Sequence, residues 1–123
     1  MNYSNLAEKL VANALKKGAD AAEIFISTGR NLSVNILNNE IETIEEADSA
    51  GVGVRVIVAG ALGFSYSNSL DQKSLDDTID MAIRFARLTT PNDFNILPDI
   101  KDITVVEGLF DPEIETVSME KKI

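Results

Sequence analysis

Five acids crowd one short window: Glu40, Glu42, Glu45, Glu46 and Asp48. Carboxylate oxygens at that density suit Ca²⁺ or Mg²⁺, and two that converge would suit general acid–base work. The spacing supports neither. No calcium loop with its central glycine is present, and the acids alternate with strand-type residues, so a solvated strand face accounts for them. Gly51 and Gly53 precede a strand, whereas phosphate-cradling glycines lie between a strand and a helix. A bend, or close approach of another backbone, explains them better. Arg55 is the sole basic residue between Arg30 and Lys73 and stands in a valine-rich run. It either pairs with a glutamate on a neighbouring strand or presents a fixed charge to a peptide or another domain. Gly63, Ser65 and Ser67 make one strand face small. Such a face admits another backbone closely, or simply packs under a helix. Neither serine has a local base to make it a nucleophile. The chain has no His and no Cys, so it cannot build a His/Cys zinc site or a Ser-His or Cys-His pair. No catalytic residue and no metal ligand is therefore assigned. Arg55, Gly63, Ser65 and Ser67 remain as candidate contacts to a peptide or a subunit.

The elements that must position these residues read as follows. A helix is expected from Asn5 to Lys17, capped by Ser4, with Leu6, Leu10, Val11 and Ala14 as its apolar stripe and Gly18 as its stop. Five strands then follow. Ala22–Ser27 is the first, ended by a turn at Thr28-Gly29-Arg30-Asn31. Leu32, Val34 and Ile36 alternate with Ser33 and Asn35 in the second, and Asn38-Asn39 is the next turn. Residues 40–46 form a polar third strand, expected at an edge. Gly51–Val58 and Ala61–Ser67 complete the set around a turn at Ala59-Gly60. Short connections imply an antiparallel meander. Val52, Val54, Val56 and Val58, with Leu62, Phe64 and Tyr66, are expected to supply the sheet side of the core. Asp71 caps a second helix, Gln72–Leu88, whose inward stripe is Leu75, Ile79, Ala82, Ile83 and Ala86. The fold class is thus α+β: an antiparallel sheet of about five strands with two helices on one face. Residues 1–90 read as the domain proper. Residues 91–123 read as an extended acidic connector, with Ile103–Val106 as one short strand and Ser118 capping a further helix. That stretch carries eight acids and three lysines. A helix cut off in its first turns is unstable alone, so the chain reads as a piece of something longer.

Composition narrows the function classes. The chain has 123 residues, 45% of them hydrophobic, and a formal net charge of −9. A duplex nucleic-acid binder needs a basic surface, so no nucleic-acid partner is expected. The densest apolar stretch, Val52–Phe64, is broken by glycines and Arg55 and falls short of the ~20 apolar residues of a spanning helix. No membrane partner is expected either. The lack of cysteine fits a cytoplasmic location.

Several stretches, in order, resemble the N-terminal region of the TldD/PmbA family, also called modulators of DNA gyrase. They are Gly18-Ala19-Asp20-Ala21-Ala22-Glu23, Asn39-Glu40-Ile41-Glu42, Gly51-Val52-Gly53-Val54-Arg55-Val56 and Gly63-Phe64-Ser65-Tyr66-Ser67. Ala82-Ile83-Arg84-Phe85-Ala86-Arg87, Thr90-Pro91-Asn92-Asp93, Leu97-Pro98-Asp99 and Leu109-Phe110-Asp111-Pro112 continue the set. The resemblance implies a cytoplasmic two-subunit peptidase, several times longer than this chain, that cuts unstructured or leader peptides. It places zinc in a His-Glu-x-x-x-His motif of the TldD-type subunit. This chain has no such motif, so no catalytic residue carries over and no cofactor is expected in it. Its opening GADAAE motif and its ARLTTPND stretch look more like the PmbA (TldE) subunit. The implied role is non-catalytic: assembly, and enclosure of a substrate chamber, with a TldD-type subunit and the rest of its own chain as partners. The alternative is a free-standing interaction module that binds extended peptides at a sheet edge.

Overall fold

The computed structural model describes residues 2–99 and 102–123. Helix α1 spans Tyr3–Lys16, and its cap is Asn2 rather than Ser4. The Asn2 carboxamide oxygen accepts from the Asn5 N–H at 3.1 Å, so the helix starts earlier than the serine would place it. Asparagine and serine are comparable caps; here the asparagine holds the first turn. Gly18 takes φ +114° just after the helix, a backbone region that side chains avoid.

Among the described residues three strands form the sheet, in the order β1-β2-β3, and not five. Strand β1 runs Ala21–Leu37, β2 runs Glu40–Val58, and β3 runs Ala61–Ser67. The expected turn at Thr28–Asn31 is extended backbone inside β1. Gly29 lacks the positive φ of a turn glycine. Its carbonyl accepts from the Ser49 hydroxyl at 3.4 Å, and Arg30 reaches Asp48 at 2.9 Å. These turn-like residues thus lie across from a second polar stretch in β2. Residues 40–46 are likewise not a separate edge strand but the start of β2, the middle strand of the order. The real reversals are two-residue turns. Asn38 and Asn39 take φ 52° and 62°, and Ala59 and Gly60 take φ 49° and 77°, the sense that matches strand twist in tight hairpins.

The β2–β3 register pairs Val52 with Ser67, Val54 with Ser65, Val56 with Gly63 and Val58 with Ala61. Opposed residues share a face, so the valines lie with the small residues of β3. This corrects the expected core: Leu62, Phe64 and Tyr66 are on the other face and exposed. Helix α2, Gln72–Leu88, packs on the valine face, with Leu75 and Ile79 among the largest fully buried side chains. Each contributes roughly 1.5–3 kcal/mol by leaving water. Its cap is Asp71, which accepts from the Ser74 N–H at 2.9 Å. Leu10 and Ala14 bring α1 into the same core. Asn13 donates to Asp76 at 2.8 Å, and Lys17 pairs with Asp80 at 2.8 Å.

Contact density divides the chain into two compact units, Met1–Asn31 with Glu46–Leu97, and Leu32–Glu45 with Pro98–Ile123. The first holds both long helices and β3. It also keeps residues 91–97, because the Gly60 carbonyl accepts from the Asn92 N–H and the Asn95 carboxamide, each at 3.0 Å. The second contains a 3-10 helix, Pro112–Glu115, capped by Asp111, and the short α3, Met119–Lys122. Ser118 stands at the start of α3 but makes no side-chain cap bond. Ile103–Val106 is not a strand. No helix among the described residues is long and apolar enough to cross a membrane.

Candidate functional site

Strand alternation places Gly53, Arg55 and Ile57 of β2 beside Tyr66, Phe64 and Leu62 of β3 on the face away from the helices. Phe25 and Glu23 of β1 join them. A Cβ placed on Gly53 would lie 3.3 Å from the Phe64 ring and 4.0 Å from Phe25 Cβ. The Phe64 ring therefore covers the space that Gly53 leaves, an aromatic shield over a strand glycine. The Phe64 and Tyr66 rings stack at a centroid distance of 6.4 Å. Phe25 and Tyr66 are 69% and 71% exposed, so this aromatic face meets solvent in the chain as it stands. Exposed aromatics clustered on one sheet face mark an interaction surface.

Arg55 lies within this face. Its Nη2 is 3.5 Å from Glu23 Oε1, so the cross-strand pairing is what the structure contains. Both side chains are substantially exposed, and such a pair contributes about 0–1 kcal/mol. It leaves the face with one cation and one anion and no net charge.

Gly63, Ser65 and Ser67 are not brought together with Arg55; they lie on the opposite face. A Cβ on Gly63 would sit 2.0 Å from the Ala82 carbonyl oxygen and 2.5 Å from the Ala86 nitrogen. Gly63 is thus the seat of α2 and is closed to any ligand. Ser65 and Ser67 are half-buried beneath the same layer, and the Ser67 hydroxyl accepts from the Ser69 N–H at 3.0 Å. The small stripe packs under a helix, the plainer of its two readings.

Sequence reasoning placed Phe64 and Tyr66 in the core, because hydrophobicity alone directs large side chains inward, and it gave Phe25 no part in a site. The signal was the small row itself: a strand with Gly-x-Ser-x-Ser on one face admits a helix backbone only on that face.

Among the described residues, Asp71 stands out as a carboxylate held well below its ordinary range. Hydrogen bonds from the Ser69 hydroxyl, the Ser74 N–H and the Ser74 hydroxyl lower the Asp71 pKa from 3.8 to about 2. This is a helix cap and not a catalytic acid. Among the described residues, no three acids converge to hold a metal ion. With no His or Cys in the sequence, the residues present do not fit a zinc centre.

Fold and surface together define a helix-backed three-stranded sheet with an exposed aromatic face. The sequence model of PmbA/TldA metallopeptidase domain 1 matches residues 22–86, which carry most of the sheet and α2. The chain belongs to the PmbA/TldD metallopeptidase family and corresponds to its N-terminal region. It is 32% identical over 94 residues to the metalloprotease PmbA homolog of Buchnera aphidicola, covering 74% of this chain and 21% of that protein. A Bacteroides thetaiotaomicron structure described as a modulator of DNA gyrase superimposes with a TM-score of 0.81. At 24% identity it covers 97% of this chain and 28% of its own. TldE from Thermococcus kodakarensis gives a TM-score of 0.67 at 24% identity, over 77% of this chain and 22% of its own. These two likenesses establish the fold. The chain spans about a fifth of the length of the curated relatives it matches.

Proposed function

We propose that this chain is a non-catalytic first domain of a PmbA/TldD-type metallopeptidase, of the PmbA (TldE) kind, that serves assembly and enclosure of a substrate chamber. The observation that carries this reading is the family match over residues 22–86 in a chain without His or Cys. Zinc and proteolysis of unstructured or leader peptides then belong to a TldD-type partner subunit in the cytoplasm. The exposed face of Phe25, Phe64 and Tyr66, with Arg55 and Glu23 within it, is the surface that meets the partner or the rest of a longer chain. Covering the aromatic side chains takes apolar area out of water, and the exposed Arg55–Glu23 pair must stay at the solvated rim or gain a partner across the contact to offset its desolvation.

The test is reconstitution. The longer protein carrying this domain is mixed with a TldD-type subunit, and co-elution and cleavage of an unfolded peptide are followed. Phe64→Ser with Tyr66→Ser is expected to abolish co-elution and cleavage while far-ultraviolet circular dichroism stays unchanged. Full activity in that variant, or cleavage by this chain alone, overturns the reading. The free-standing module rests on one feature: β3 ends the strand order and offers an outer edge. Binding of an extended peptide by this chain alone, undisturbed by the face variants, would favour it.

A further inference from the structure

Helix α2 has three sides. One lies in the core with Leu75, Ile79 and Ala82. A second faces α1: Asp76 accepts from Asn13, Asp80 pairs with Lys17, and the Arg87 guanidinium lies beside Gly18. The third carries Met81, Phe85 and Leu88 at i, i+4 and i+7, and these are 40%, 46% and 84% exposed. That spacing makes a second apolar stripe along one helix.

Two opposite charges bracket the middle of this stripe. Asp77 stands one turn before Met81 and Arg84 one turn after it, and helical periodicity puts both on the same side of the stripe. Asp77 meets the exposed Lys73 at 2.8 Å. Arg84 forms no ion pair among the described residues. We propose that this face of α2 docks, antiparallel, on the same face of α2 in a second copy of the chain. A two-fold axis at Met81 sets Arg84 of each copy beside Asp77 of the other, whereas a parallel pairing would oppose like charges. Met81 packs on its counterpart, flanked by Phe85 and Leu88 of both copies, and these side chains leave water. The contact is made by one helix face on itself, so it is isologous and closes at two copies. Its two charge pairs fix direction and register. They also offset, at the contact, the repulsion between chains of net charge −9. One helix pair buries less than the ~1,200 Å² of stable interfaces, so the dimer is weak and reversible.

The experiment is sedimentation equilibrium of the whole chain up to about 1 mM. A reversible dimer is expected. Arg84→Asp and Asp77→Arg, each alone, should weaken it roughly tenfold or more. The two variant chains mixed together should form a heterodimer, and the double variant should dimerise like the wild type. Both positions are exposed, so the fold should survive, as circular dichroism will verify. The chain has no cysteine, so Met81→Cys supplies a single thiol at the axis. A short bismaleimide should link that variant into a covalent dimer and leave Lys9→Cys, on the exposed side of α1, unlinked. A chain that stays monomeric throughout overturns the proposal and leaves the assembly role of the sheet face standing. A dimer indifferent to the charge reversals also overturns it. So does a dimer abolished only by Phe64→Ser with Tyr66→Ser, which would assign the contact to the open sheet face.

Discussion

Gly63 is where a single missing methyl decides the packing of the domain. The atoms that a Cβ would strike are the Ala82 carbonyl oxygen and the Ala86 nitrogen, main-chain atoms that cannot rotate aside. Overpacking typically costs about 1–3 kcal/mol, and a main-chain clash belongs at the upper end. Gly63→Ala is expected to lower stability by about 3 kcal/mol, read as a shift of the urea midpoint at unchanged slope. Ala59 poses the opposite case. It occupies φ 49° in the β2–β3 turn, where a Cβ is disfavoured, and its N–H donates to the Asp20 carboxylate at 2.7 Å. Ala59→Gly relieves the strain and keeps that donor, so thermal melting should show a gain of roughly 1 kcal/mol. Neither effect is legible in the sequence with the same ease. The turn at Ala59-Gly60 is announced by its glycine. The role of Gly63 depends on α2 crossing directly above it, which only the β2–β3 register reveals.

At the scale of elements, α2 was legible from end to end. Asp71 supplies a cap, Leu75, Ile79, Ala82, Ile83 and Ala86 repeat at helical spacing, and Pro91 follows the end; the structure returns the same Gln72–Leu88. The sheet was less legible. Thr28-Gly29-Arg30-Asn31 has turn composition, yet it stays extended because Asp48 and Ser49 stand across from it. Nothing local in either segment announces the other, so two long strands read as four short ones. The Asp71 cap carries a pH signature. Its folded pKa is depressed to about 2 from an ordinary 3.8. The stability it contributes is therefore fully present well above pH 4 and is lost as pH falls through about 2. Asp71→Ala should lower the melting temperature at neutral pH, and the gap between variant and wild type should close as the pH approaches 2. A gap of constant size down to that pH would show that the charge of the cap contributes nothing.

Across the whole molecule, order is unevenly distributed. The buried residues cluster in α1, α2 and the inner half of the sheet, while none of residues 102–123 is buried. Local opening is easiest where few apolar contacts must be broken. Amide hydrogens of residues 102–123 are expected to exchange faster than those of α2 and of the Val52–Ser67 hairpin, as hydrogen–deuterium mass spectrometry will measure. Residues 92–95 should be the protected exception among those that follow α2, since Asn92 and Asn95 are tied to the Gly60 carbonyl. The absence of His and Cys also acts on the molecule as a whole. Dialysed protein should retain no stoichiometric zinc by elemental analysis, and one tightly held zinc per chain would contradict the assignment of catalysis to a partner.

The seat of α2 on Gly63 has a consequence for how sequences of this kind can drift. Most core positions tolerate change because a neighbouring side chain can shrink or swing in response. Here the obstacle is peptide backbone, so no second substitution on α2 can make room for a larger residue at position 63. The only remedy is to lift the helix, which would pull Leu75 and Ile79 out of their places together. Inheritance at this position is therefore close to all-or-none: a lineage keeps the glycine, or it rebuilds the helix layer in one step.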